Sequence, residues 1–276
     1  MKPLLLFYFL LTCSGLASAQ QHVFRQDKPD SLTIARNRAA VLQLSAAPFL
    51  KGSFSSDNIT IPYRLMLPGQ MNRLRKYPLV IMLHNSGKIG VDNELQLDPL
   101  ARTWLRAAIR EQFPAFVLAP QFARRSSNYH PDKGIQVSEP SADVALILDL
   151  LYKLEQEYPN IDRSRIYLVG YSMGASTAQN LMSLAPEQFA AMVSIAAVPD
   201  ISNLKAFNHK PIWLIHGQQD DDNPYSGSVY LFHKLKGNRE LIFTTYTELN
   251  HNNITIPFLA SDAIPGWLFR QKLNTK

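Results

Sequence analysis

The stretch RIYLVGYSMGAS, residues 165–176, decides how the chain is read. Ile166 to Val169 are apolar or aromatic, and the run stops on Gly170, Tyr171, Ser172, Met173 and Gly174. Glycine is common punctuation where a strand gives way to a helix, so a plain turn is one reading. The other is a nucleophile elbow, G-x-S-x-G, in which a strained strand-to-helix turn lifts the serine hydroxyl above a sheet. The motif is short enough to arise by chance, so the surrounding residues have to decide.

Outward from the elbow, strand and helix patterns alternate. YPLVIMLH (77–84) is a continuous apolar run, the mark of a strand buried on both faces. A helix is predicted over Pro99–Gln112, a strand over 115–121, and a long helix from Ala142 to Tyr158. The long helix carries Val144, Ile147, Leu148, Leu151 and Leu154 at helical spacing, and Pro159 closes it. After the elbow come a helix over Ala175–Leu184, strands at 190–198 and 211–217, and a helix over Gly227–Leu235. A strand at 240–249 and a helix ending near Lys272 complete the chain. ITIPYRLMLP (59–68) reads as an antiparallel edge strand, because Pro62 suits an edge better than a centre. Nearly all-apolar strands alternating with helices predict an α/β fold, a mostly parallel central sheet with helices on both faces.

The first residues have another pattern. Lys2, the apolar LLLFYFLL and Ala17-Ser18-Ala19 form the n-region, h-region and A-x-A site of a secretory signal peptide, with cleavage expected after Ala19. The apolar run is too short to span a bilayer, so no stable membrane insertion is expected, and the predicted location is secreted or periplasmic. Cleavage leaves 257 residues and removes Cys13, the only cysteine, so the remainder must be held by its core and not by disulfides. The expected organisation is a signal peptide over 1–19, an N-terminal extension over 20–52 and one catalytic domain over 53–276. Within the extension, Leu32–Leu44 looks helical with Ser31 as its cap. The formal charge of +6 is scattered over short groups (RNR, RLRK, ARR) without interleaved aromatics, so no nucleic-acid partner is expected.

Ligands of open α/β sheets bind beyond the carboxyl ends of the strands. His84, Asn85, Ser86 and Gly87 follow the 77–83 run, and Ser172 follows 165–169. His216, Gly217 and Asp220 follow 211–215, and Asn250, His251 and Asn252 follow 240–249. A serine, an acid and a histidine thus reach one edge in the order Ser, Asp, His, one of the chain orders in which serine triads occur. A serine hydroxyl is a weak nucleophile at neutral pH and needs a base in hydrogen-bond reach, here His251. An acid, chosen from Asp220, Asp221 and Asp222, would orient that base. The oxyanion needs two backbone N–H donors, expected from Met173 and from Ser86, with Asn85 the less favoured alternative. His84 and His216 read as hydrogen-bonded core histidines, and His22, His130, His209 and His233 as surface residues. The HGQQDDD stretch matches no standard zinc or calcium loop, so no metal and no cofactor is expected.

These residues carry a family resemblance over about residues 54–272. YPLVIMLHNSGKIGVDNELQL, NIDRSRIYLVGYSMGAS, PEQFAAMVSIA, PIWLIHGQQDDDNPYSGS, LNHNN and GWLFRQK follow one another as ordered segments. Together they resemble the α/β-hydrolase esterases of the dienelactone-hydrolase and polyhydroxybutyrate-depolymerase-like group. The resemblance implies an α/β-hydrolase fold, selects Asp220 as the acid because it lies four residues before Pro224, and implies a serine esterase. Asn85 stands where the family usually has glycine, and Lys88 and Ile89 replace a common charged pair. The substrate expected is a small-molecule or carbohydrate-linked ester. A serine peptidase of the same fold and a non-catalytic binding protein retaining it are the alternatives. QFARRSSNYHPDKGIQVSEP (121–140) reads either as a substrate-side loop or as a solvated connection.

Overall fold

The computed structural model describes residues 19–56, 58–72, 74–132 and 134–273, so Cys13 and the expected signal peptide up to residue 18 lie outside the described residues. The strands are, in chain order, β1 (Gln21–Arg25), β2 (Phe49–Ser56), β3 (Ile59–Met66), β4 (Tyr77–Leu83), β5 (Phe116–Pro120), β6 (Ser127–Asp132), β7 (Ile135–Pro140), β8 (Ile161–Tyr171), β9 (Ala191–Ile195), β10 (Ile212–Gly217) and β11 (Leu241–Tyr246). Nine of them form one sheet in the order β1-β11-β10-β9-β8-β4-β5-β3-β2, and β6 and β7 form a separate hairpin. Every pair from β1 across to β5 is parallel, whereas β5–β3 and β3–β2 are antiparallel.

The apolar runs explain the centre. All seven residues of β4 and all five of β5 and β9 are buried, as a strand covered on both faces requires. Alternate residues feed two cores. On one face Leu79, Ile81, Leu168 and Leu214 meet α4 (Ala142–Glu157), α5 (Met173–Leu184) and α7 (Tyr225–Lys234). On the other, Val80, Met82, Val169 and Ile215 join Trp104, Ile109, Phe258 and Trp267 from α2 (Pro99–Arg102), α3 (Ala107–Gln112), α8 (Ile256–Leu259), α9 (Ala263–Leu268) and their connections. Helix α1 (Ser31–Leu42) lies against α8 through Val41, Ile256 and Leu259, and the short α6 (Leu204–Phe207) follows β9. Among the described residues no helix is long and apolar enough to cross a membrane.

Several local expectations change. β3 is antiparallel but not at the edge, since β2 pairs outside it. Pro62 is accommodated because its carbonyl accepts from Gln121 N at 2.8 Å, beyond the last β5 residue. Its ring nitrogen faces that same side, so no bond to β2 is lost. The helix expected over Pro99–Gln112 breaks at Arg106, whose ψ of 129° is extended, and this lets Trp104 and Ile109 enter one core. The expected C-terminal helix is two short helices, α8 and α9, with Pro257 in the first turn of α8. Asp30, not Ser31, caps α1, its carboxylate accepting from Thr33 N at 2.6 Å. Residues 20–52 supply β1 and the start of β2. His22, expected at the surface, is half-buried, stacks on Phe243 with ring centroids 4.5 Å apart, and meets Thr245 Oγ1 at 2.8 Å.

Candidate active site

β8 delivers Ser172 at its carboxyl end with φ 57° and ψ −123°, a left-handed conformation that a side-chain-bearing residue adopts at a cost of about 1–3 kcal/mol. Its own N–H is tied to Ile195 O at 2.9 Å, and its carbonyl begins α5 by accepting from Ala175 N and Ser176 N. The flanking glycines are steric necessities. A Cβ on Gly170 would stand 2.2 Å from Gly174 O, and one on Gly174 would stand 2.0 Å from Leu83 O.

The geometry brings the three predicted residues together. His251 Nε2 lies 2.8 Å from Ser172 Oγ, and His251 Nδ1 lies 2.8 Å from Asp220 Oδ2. A carboxylate only accepts, so Nδ1 carries the proton and Nε2 offers its lone pair to the serine hydroxyl. All three side chains are buried at the floor of a cleft. Asp220 Oδ1 accepts from Asp222 N at 3.0 Å and Asn223 N at 2.8 Å, while Asp221 and Asp222 are exposed. Burial by itself would raise the Asp220 pKa. Hydrogen bonds from His216 and His251 outweigh it and hold the carboxyl well below the usual carboxylate range. Tyr171 O–H donates to His251 O at 2.7 Å, fixing the turn that carries the histidine.

His84 and His216 are buried and hydrogen-bonded, as expected of core histidines, but each is tied to the site. His84 Nδ1–H donates to Asn85 O at 2.8 Å, and its Nε2 accepts from Phe122 N at 3.0 Å. This needs a neutral ring, and burial pushes the His84 pKa down to about 4. His216 Nε2–H donates to Asn223 O at 2.9 Å and to Asp220 Oδ2 at 3.1 Å, and its Nδ1 meets Ser228 Oγ at 2.7 Å.

Ser86 opens a short 3-10 turn, Ser86–Lys88, beside the serine. Within it Gly87 N donates to Asn85 Oδ1 at 2.9 Å and Lys88 N to Asn85 O at 3.0 Å. Ser86 N–H, first in the turn, has no acceptor inside it, and Met173 N–H is likewise the first of α5. Asn85 therefore caps the turn, and its Nδ2 also reaches Asp98 Oδ2 at 3.4 Å. Asp98 in turn caps α2 through Ala101 N at 3.0 Å, and burial pushes its carboxyl pKa up.

A cavity of about 690 Å³ opens above Ser172. Its lining includes the 85–87 turn, Asp222, Asn223 and Asn252, and Arg125, Asn128, Tyr129 and Gln136 from the β6–β7 hairpin and its approach. Within the 121–140 stretch, Ser127–Asp132 and Ile135–Pro140 thus pair as a hairpin that lines the same cavity as Ser172. Ser126 Oγ bonds Thr177 Oγ1 at 2.7 Å, Ser127 Oγ bonds Asn180 Oδ1, and Tyr129 O–H meets Ser176 Oγ at 3.1 Å, so the hairpin is fastened to α5. Contacts not foreseen include His216 on Asp220, Asp98 on Asn85, and Tyr129 on Ser176. The four-residue spacing of His216 and Asp220 in a turn is the one sequence signal among them. Among the described residues no group of three or more His, Cys, Asp or Glu side chains is arranged to hold a metal ion.

No family model matches the chain. A search of curated proteins finds the bifunctional acetylxylan esterase/xylanase XynS20E of Neocallimastix patriciarum, 29% identical over 144 residues, which cover 52% of this chain and 19% of that protein. The crystal structure of a thermostable esterase superposes with a TM-score of 0.74 and 32% identity over 82% of this chain and 64% of that one. An acylaminoacyl peptidase bound to Z-Gly-Gly-Phe-chloromethyl ketone superposes with a TM-score of 0.58 at 13% identity, over 83% of this chain and 42% of that one, and so speaks to the fold alone. The chain spans less than two thirds of the length of each of these three proteins.

Proposed function

From the α/β-hydrolase fold that this chain has, we propose that it is a serine carboxylic-ester hydrolase acting through Ser172, His251 and Asp220. The observation that carries the reading is the continuous contact from Ser172 Oγ through the His251 ring to Asp220 Oδ2, 2.8 Å at each step. His251 removes the hydroxyl proton as Ser172 Oγ attacks the ester carbonyl, and Asp220 stabilises the imidazolium that forms. The N–H groups of Met173 and Ser86 receive the oxyanion. His251 then protonates the leaving alcohol, and water released onto the acyl-enzyme by the same base restores the serine. Similarity to a thermostable esterase and to a protein named for acetylxylan esterase activity supports an ester as the bond cleaved and a small molecule as its carrier.

Hydrolysis of 4-nitrophenyl acetate by the purified protein, lost in Ser172→Ala, tests the reading. An active-site fluorophosphonate should label the wild type and not that variant. A wild type that neither hydrolyses nor labels would leave the fold as a binding scaffold. The n-region, h-region and A-x-A pattern of residues 1–19 supports export to the periplasm or the medium. N-terminal sequencing of the exported protein should begin at Gln20.

A further inference from the structure

Among the described residues, the wall of the cavity above Ser172 includes no aliphatic side chain. Amides, hydroxyls, two phenols and charged groups form it, with Asn128 and Gln136 from the hairpin and Asn85 and Asn252 from the turns beside Ser172 and His251. An alkyl chain held here would cover polar atoms that need water, whereas a polar substrate would replace that water bond for bond.

Within that wall Arg125 has no carboxylate partner among the described residues. Its neighbour Arg124 makes the contrast: Arg124 closes on the buried Asp143, its Nε–H 3.1 Å from both carboxylate oxygens. No such ion pair forms at Arg125 among the described residues. Asp222 lines the same cavity, yet no ion pair joins it to Arg125. Instead the Arg125 guanidinium lies over the Tyr129 ring, 4.7 Å from its centroid, and Nε–H donates to Ser127 O at 3.3 Å. Tyr129 is anchored through Ser176 Oγ to the helix that begins beside Ser172. The contact with the ring and the Nε–H bond hold the guanidinium beside Tyr129 at the cavity wall. A guanidinium held there offers paired terminal N–H groups whose fork matches the two oxygens of a carboxylate, a match that a lysine ammonium lacks.

We propose that Arg125 is a substrate-binding residue, and that the ester cleaved at Ser172 carries a carboxylate on the part of the molecule lying along the β6–β7 hairpin. The proposal rests on the ester-hydrolase reading above. Because Arg125 is exposed, solvent screens the interaction, and a preference of about tenfold is expected in place of the larger factor of a buried pair.

Two substrate pairs that differ in charge test it. 4-Acetoxybenzoate against 4-acetoxybenzamide puts the carboxylate in the alcohol; mono-4-nitrophenyl succinate against its methyl ester puts it in the acyl group. In one pair or both, the wild type should favour the anionic ester in kcat/KM by about tenfold, chiefly through KM, and added salt should erode the preference. Arg125→Gln should bring that ratio close to one, and Arg125→Lys should keep part of it. The ratio is internal to each variant, so differences in the amount of active enzyme cancel. No anionic preference in either pair, or a preference that survives Arg125→Gln, would overturn the proposal. A wild type that cleaves none of the four esters would instead sink the ester-hydrolase reading itself.

Discussion

His216 and His251 meet on a single oxygen atom, Oδ2 of Asp220, at 3.1 and 2.8 Å. The first histidine is fully buried and is locked by Asn223 O and Ser228 Oγ, so it holds the carboxylate from the side away from the reaction. Replacing it with Leu should free Asp220 to rotate and lower kcat by about 10- to 100-fold with little change in KM, in line with the loss of one charge-assisted hydrogen bond. His216→Gln can still present an N–H near the Nε2 position and should recover much of the loss. Steady-state kinetics on the three proteins decide this; equal losses in Leu and Gln variants would mean a packing role only.

The three consecutive acids separate by the same geometry. Asp220→Asn leaves no carboxylate on His251 Nδ1 and should cost about four orders of magnitude in kcat. Asp222→Asn removes an exposed side chain and should keep kcat within a few-fold of wild type. Measuring both with one ester substrate is sufficient.

The elbow leaves no room for a methyl group. Gly174→Ala would drive a Cβ to 2.0 Å from Leu83 O, a backbone atom of the buried β4 strand. A loss of about 3 kcal/mol or more is expected, read as a lower denaturation midpoint, with activity falling too because Met173 N–H moves with the turn.

His84 predicts how stability depends on pH. Its folded pKa, about 4, lies below the ordinary value of 6.5, so the unfolded chain binds the proton first as the pH falls. Its contribution is present above about pH 6.5 and is lost between about pH 6.5 and 4, amounting to about 3 kcal/mol at the lower end. Asp220, whose folded pKa is also lowered, extends the loss below the ordinary carboxylate range. Thermal unfolding followed from pH 7 to pH 4 should show Tm falling steadily, with a shallower slope in His84→Asn.

Much of this was legible in the chain. The central strands are continuous apolar runs, and their partners follow from burial on both faces. The elbow announces itself because its backbone tolerates only glycine at 170 and 174. The residue types and order then point to His251 and to one of Asp220, Asp221 and Asp222, and the family resemblance selects Asp220, before any coordinate is seen. The hairpin was not legible, because Pro131 and Gly134 punctuate SNYHPDKGIQVSEP like a loop, and its pairing is secured by Thr177, Ser176 and Asn180 of a distant helix. Strand β1 escaped for a related reason. QHVFR has no periodic signal of its own, and its partner β11 lies at the far end of the chain. Asn85 read as a departure from the family pattern, and only its bonds to Gly87 N and Asp98 give it a reason.

The pairing of β1 with β11 also sets an order of events. Gln21 lies beside Ile242 and Arg25 beside Tyr246, and Arg25 O accepts from Thr247 N at 2.9 Å, just before the turn that bears His251. Strand β1 therefore cannot join the sheet until residues 241–246 are present. The sheet edge beside the turn that bears His251 is thus closed by the first and the last of the described strands together.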